Sequence, residues 1–334
     1  MKVLFLIQDE QMPSSRVRVL NLLFELRKEG INTDFIKYPK KFFKKLSLIR
    51  MCKKYDIVYV QKKLLSPPDT TALRRFSRRL IFDFDDAIYY RHDAQEVLES
   101  KSRYLKFKYL VKNVDLVIAG NRILSDYASQ FNKNIIVIPS AVETRNIPEK
   151  DYESSNDKII IGWVGGGVNL IHIKLLSPVL QRLSREYNIQ LRILSNNTII
   201  VPSVEVKYIP WQLETQEKEI ATFDIGVMPL PKNKHTEGKC GYKALQYMAA
   251  AVPPIVSDVG INRDIVEHGK EGLVVSSADG FYNAIKTLIH DKNRRKEMGC
   301  NARKKVEKFF SVEVVGKQLS DVLKMVALEN SQCF

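Results

Sequence analysis

Short apolar runs alternate with amphipathic stretches along almost the whole chain, and this rhythm restricts the fold more than any other feature. VLFLI (3–7) leads into VRVLNLLFELRKEG (17–30) and then a short apolar stretch at 33–36. Strands of a parallel sheet are covered on both faces and read as continuous apolar segments, each returning to its sheet through a helical crossover. With Gly30 as the helix stop, the pattern predicts β-α-β units. It continues through DIVYVQ (56–61), RRLIFDFDD (78–86), DLVIAGN (115–121) and IIVIPSAVE (135–143).

The chain turns polar over 146–157 (NIPEKDYESSND), the expected linker, and KIIIGWVGGG then restarts the alternation. LRILSN (191–196), VEVKYIPW (204–211), IGVMPL (225–230), PPIVSDVG (253–260) and GLVV (272–275) follow, and helical segments run from about 280 to 329. At 334 residues the chain exceeds one ordinary core and suits two. The expected architecture is α/β, with two Rossmann-like doubly wound parallel-sheet domains facing a cleft. Residues 1–150 form the first domain, 151–310 the second, and 311–334 a C-terminal helix crossing back to the first. Such sheets bind ligands beyond the carboxyl ends of their strands.

Hydrophobic residues make up 45% of the chain and charged residues 27%, a globular balance. The opening apolar run is far shorter than the roughly 20 residues that span a bilayer. Cys52, Cys240, Cys300 and Cys333 are scattered and form no CxxC pair, so neither a zinc site nor a disulfide framework is expected. The expected compartment is reducing and cytoplasmic. Walker A and GxSxG motifs are absent from the sequence, which argues against common P-loop ATPases and serine hydrolases.

The formal net charge of +15 is uneven: 29 basic face 17 acidic residues over 1–150, against 24 and 21 over the remainder. Lys37, Lys40, Lys41, Lys44, Lys45, Arg50, Lys53 and Lys54 cluster, with Phe42, Phe43, Leu46 and Leu48 between them. Such a surface suits anionic lipid headgroups, an anionic polymer or nucleic acid, or is simply solvated. No RNA-recognition or helix-turn-helix motif accompanies it, so nucleic acid is not the expected partner.

Three places carry candidate chemistry. In GWVGGGVNL a strand ends at Val164, and Gly165, Gly166 and Gly167 lead into a helix near Asn169 or Leu170. Backbone amides there can approach a diphosphate, although a tight turn alone would also need glycines. In IFDFDDAIYY, Asp83, Asp85 and Asp86 end a strand. Asp85 and Asp86 are candidates to orient an acceptor hydroxyl or act as base, with helix capping the plainer alternative. In SSRVRV, Ser14 or Ser15 is placed to cap the first helix, and Arg16 and Arg18 to contact a phosphate or an anionic acceptor. Trp211 could stack on a base or pack in the core.

HTEGKCGYKALQYMAAAVPPIVSDVG (235–260) joins a polar glycine-bearing loop to a helix, a turn at Pro253 and a strand. Together with PSAVE (139–143) and DIVEHGKEGLVV (264–275), it resembles the donor site of retaining glycosyltransferases of family four, which have the fold called GT-B. The resemblance implies a hexosyltransferase-type enzyme acting from a nucleotide-diphosphate sugar on a glycan or lipid-linked acceptor in cell-surface polysaccharide synthesis. It implies no metal and no resident cofactor. The cell membrane's inner face, met through the basic N-terminal domain, is the expected peripheral location. The implied donor contacts are Gly165, Gly166, Gly167, Glu237, Gly238, Lys239, Cys240, Gly241, Tyr242, Lys243 and Gln246, with Glu237 also catalytic beside Asp85 and Asp86. Three departures stand out. Gln246 replaces the glutamate that holds ribose in the family, Glu237 lies nine residues before it instead of eight, and the Arg-Lys pair of the first loop is missing. A sugar-nucleotide epimerase of similar build, or a basic nucleotide- or nucleic-acid-binding protein, is the alternative.

Overall fold

A computed structural model describes residues 1–154 and 157–328. Residues 155 and 156 of the expected linker, the stretch 329–334 of the expected terminal helix, and Cys333 lie outside the described residues. The first sheet contains β1 (Lys2–Ile7), β2 (Asn32–Lys37), β3 (Ile57–Gln61), β4 (Arg79–Phe84), β5 (Leu116–Ala119) and β6 (Ile135–Val137). Its order is β2-β1-β3-β4-β5-β6, parallel throughout. The second contains β7 (Ile159–Val164), β8 (Ile189–Ser195), β9 (Val206–Pro210), β10 (Ile225–Met228), β11 (Pro254–Ser257) and β12 (Leu273–Val275). Its order is β12-β11-β10-β7-β8-β9, again parallel. Both sheets are Rossmann-like, as the apolar rhythm predicts. The run 135–143 is strand only to Val137, because Pro139 has no N–H to continue a ladder.

The chain divides into two compact units. One comprises Met1–Ala141, Glu237–Cys240 and the chain from Phe310; the other comprises Val142–Thr236 and Gly241–Phe309. In the first, alternate residues of β1 enter two cores: Leu4 and Leu6 join Val58, Val60, Phe82 and Phe84, while Val3, Phe5 and Ile7 join Leu26, Leu319 and Leu323. The helix Val312–Leu328 thus covers one face of the first sheet. Gly316 gives it a close seat on Glu25, and Lys317 and Lys324 pair with Glu29.

In the second unit, Gly162 of β7 leaves room for the Phe223 ring, and Gly226 of β10 for the Tyr247 ring. The 146–154 stretch is fastened to this unit. Lys150 pairs with Asp224 at 3.0 Å, and the buried Tyr152 hydroxyl donates to the Ala251 and Arg295 carbonyls. Among the described residues, no helix is long and apolar enough to cross a membrane.

Candidate functional site

Strand order reverses between β7 and β10 in the second unit, and between β1 and β3 in the first. Doubly wound sheets bind ligands at such switch points, where crossovers leave in opposite directions and open a crevice. The candidate residues are therefore read outward from those strand ends.

Beyond β7, the Gly165 amide donates to the Leu194 carbonyl and the Gly167 amide to Asn196 Oδ1 at 2.6 Å. Two of the three glycine amides are thus already engaged. A Cβ at Gly165 would meet Lys243 and Trp163, and one at Gly167 would meet Asn196 and Asn197. Packing accounts for both glycines. A Cβ at Gly166 would make only an ordinary contact with Asn169, at 3.9 Å. The helix after this loop, Leu170–Lys174, begins where predicted but is short and preceded by a 3-10 turn.

The helix Tyr242–Ala249 starts from Gly241, whose φ of 64° is left-handed and whose Cβ would collide with Ile265. A side chain is excluded there twice over. Tyr247 ties this helix to both switch-point strands: its hydroxyl accepts from the Val164 amide at 3.1 Å and donates to the Val227 carbonyl at 3.2 Å. One turn earlier, the Lys243 stem crosses Gly165 and its ammonium lies 5.5 Å from the Trp163 ring centroid.

Gln246 lies on the same helix, its Nε2 donating to Gln216 Oε1 at 3.3 Å, while Trp211 Nε1 donates to that same oxygen at 3.0 Å. An indole N–H can only donate, so it fixes the Gln216 amide with its oxygen inward. That oxygen in turn commits the nitrogen of Gln246. The other end of the Gln246 amide is therefore an acceptor, as a carboxylate would be.

In the first unit the predicted carboxylates sit together with a residue that the sequence reading missed. Lys62 Nζ lies 2.8 Å from Asp85 Oδ1 and 3.3 Å from Asp86 Oδ2. Burial alone would lower the Lys62 ammonium; the two carboxylates more than offset this and hold it above its usual value. Lys62 also has a left-handed φ of 55°, with its amide donating to the Asp83 carbonyl and its carbonyl accepting from Gln8 Nε2. Left-handed backbone at a non-glycine residue costs about 1–2 kcal/mol and tends to occur at functional sites. No motif marks Lys62; a lysine following an apolar strand was its only signal.

Glu237–Cys240 belongs to this unit as well. Asn121 Nδ2 reaches the Gly238 carbonyl (3.1 Å), the Lys239 carbonyl (3.4 Å) and Cys240 Sγ (3.2 Å), while its Oδ1 caps the helix Arg122–Ala128 by accepting from Leu124. Gly238 packs on Ala87 with no room for a Cβ. Glu237 and Lys239 are half-buried.

At three expected positions the side chains already have partners within the protein. Arg18, expected to contact a phosphate or an anionic acceptor, is only 3% exposed, and its guanidinium is engaged by Asp83 and the carbonyls of Ile138 (2.7 Å) and Pro139 (2.8 Å). Cys240, expected among the donor contacts, is buried: its thiol packs against Gly120, and burial, with Asp85 near it, pushes it up to about 12. Neither Ser14 nor Ser15 caps the first helix, which starts at Pro13 after Met12; Ser15 instead meets Gln61 Oε1 at 3.2 Å. Arg16 is half-buried and donates to the Gln11 carbonyl at 2.6 Å.

The chain is similar in sequence and fold to known proteins of one class. Residues 158–291, which span the second sheet from its switch point to both edges, match the family described as glycosyl transferases group 1. The capsular polysaccharide biosynthesis glycosyltransferase CapM of Staphylococcus aureus is 25% identical over 198 residues, 54% of this chain and 50% of its own. The chain thus spans half or less of the curated relatives it matches. Among solved structures, sucrose-phosphate synthase from Thermosynechococcus elongatus superposes with a TM-score of 0.79 at 16% identity, over 97% of this chain and 98% of that one. HepE from Anabaena, in complex with UDP and glucose, gives 0.74 at 13% identity, over 97% and 99%. These likenesses show the two-domain GT-B fold, and the family match supports a group 1 glycosyltransferase.

Proposed function

We propose that this chain transfers a sugar from a nucleotide-diphosphate donor to a glycan or lipid-linked acceptor in cell-surface polysaccharide synthesis. The observation that carries the reading is the coincidence of the matched segment, 158–291, with the β7–β10 switch point and the residues arranged on it. In this reading the Gly166 amide and Lys243 meet the diphosphate, whose negative charge grows as the sugar departs. Fixed donors stabilise that charge without reorganising. The outward oxygen of Gln246 accepts from a nucleotide hydroxyl.

Asp85 and Asp86, held by Lys62, orient an acceptor hydroxyl. The roles of Glu237 and Lys239 at the donor, retention of configuration, a hexose as the transferred sugar and the lack of a resident metal rest on the resemblance alone. A cytoplasmic location rests on the scattered cysteines. HepE supplies the precedent for UDP and glucose as ligands, and the basic first unit suits contact with an anionic membrane.

The test is a thermal-shift screen with UDP, GDP, ADP, CMP and their sugar conjugates, run beside Glu237→Ala and Lys243→Ala. One nucleotide series should raise the melting temperature. Lys243→Ala should lose that response, and Glu237→Ala only the extra shift due to the sugar. A parent protein stabilised by none of these ligands would contradict the reading.

A further inference from the structure

The basic cluster of the first unit is not a uniform face. Its helix, Phe42–Cys52, turns Leu48 and Cys52 into the core beside Tyr38 and Tyr55. Lys45 turns inward as well, pairing with Asp69 at 2.7 Å, and Lys37 pairs with Asp9. At the opposite, N-terminal end the side chains point to solvent. Phe42 is 68% exposed and Phe43 82%, their rings in edge contact at 5.8 Å, with Leu46 partly exposed behind them and Lys40, Lys41 and Lys44 exposed around them.

Folding gains nothing from this arrangement. Two adjacent aromatic rings stay in water, lysines occupy the positive end of a helix, and the first turn holds no acidic residue and no side-chain cap. Each of these features becomes favourable against one kind of surface. Phosphate oxygens satisfy lysines and helix amides together, while rings a few ångströms deeper enter the acyl boundary. A second copy of the chain would instead bring Lys40, Lys41 and Lys44 against themselves. We propose that the Lys40–Leu46 end of this helix is a docking point that inserts Phe42 and Phe43 into an anionic bilayer. This deepens the membrane contact proposed above and is independent of sugar transfer.

The test is co-sedimentation of the full chain with vesicles of phosphatidylcholine alone, or mixed equally with phosphatidylglycerol. The parent should bind only the mixed vesicles, and salt should weaken the binding. K40Q/K41Q/K44Q should lower the partition coefficient by about a hundredfold, from roughly fivefold per lysine, and F42S/F43S by about tenfold or more. In a F43W variant the new indole emission should shift to the blue on mixed vesicles and be quenched by lipids with brominated chains. Nucleotide-induced thermal shifts and melting curves, measured in parallel, should match the parent in every variant. The proposal falls if the lysine variant binds vesicles like the parent, or if the F43W emission does not move. It also falls if F42S/F43S changes the oligomeric state but not vesicle binding, or if an oligonucleotide binds this face in place of lipid.

Discussion

Arg18→Met removes the counter-ion of a wholly buried carboxylate, and the structure supplies the scale of the effect. Arg18 spends its guanidinium on Asp83 and on the carbonyls of Ile138 and Pro139, so four hydrogen bonds disappear together. Breaking a buried pair from one side costs about 3–5 kcal/mol. In a unit of this size that corresponds to a fall in Tm of roughly 6–20 °C. Burial already pushes the Asp83 carboxyl up, even with Arg18 beside it.

The sign of the pH dependence follows from that shift. A carboxyl whose folded pKa is raised contributes stability below its unfolded pKa of about 4 and loses it as pH rises through the folded value. Without Arg18 the folded value rises further, so the deficit of the variant should be small in acid and grow towards neutral pH. The assay is calorimetric unfolding of parent, Arg18→Met and Arg18→Met/Asp83→Leu at acidic and neutral pH. The double variant, which buries no charge, should recover much of the loss. Two results would refute the reasoning: a single variant as stable as the parent, or one of unchanged Tm that loses nucleotide binding and so restores Arg18 as a phosphate contact.

Three further outcomes follow from the same geometry. Tyr247→Phe strands the Val164 amide and Val227 carbonyl at the switch point and should cost about 1–3 kcal/mol in urea unfolding. Cys240, with its thiol pushed up to about 12, should be alkylated at least about a hundredfold more slowly than the part-exposed Cys300 in mass-spectrometric peptide mapping near neutral pH. Gln216→Leu releases the Gln246 amide and should weaken nucleotide binding about fivefold by titration calorimetry, the worth of one lost hydrogen bond. An unchanged affinity would mean that Gln246 needs no orienting partner.

The sheets were legible because parallel strands are buried on both faces, so VLFLI, DIVYVQ and LRILSN stand out as apolar blocks whatever lies around them. The Tyr242–Ala249 helix was legible through a contiguous motif. Partnerships across long separations were not. Arg18 looks like a loop-facing cation until β4 places Asp83 beside it, and Cys240 looks like a loop thiol until Asn121 holds the Gly238 and Lys239 carbonyls and meets its sulfur. Lys62 was missed because its two carboxylates come from another strand's end. The glycine loop kept two readings in the sequence, and packing on Lys243, Trp163 and the two asparagines after β8 accounts for two of its three glycines.

The most direct test of the central claim is the fate of a labelled nucleotide sugar, of the kind that stabilises the protein, incubated with a lipid-linked glycan acceptor fraction. The account predicts release of nucleotide diphosphate in step with label appearing on the acceptor, at a rate strongly reduced by Lys243→Ala. An isomerised nucleotide sugar with no nucleotide diphosphate released, with or without acceptor, would contradict it and identify an epimerase instead.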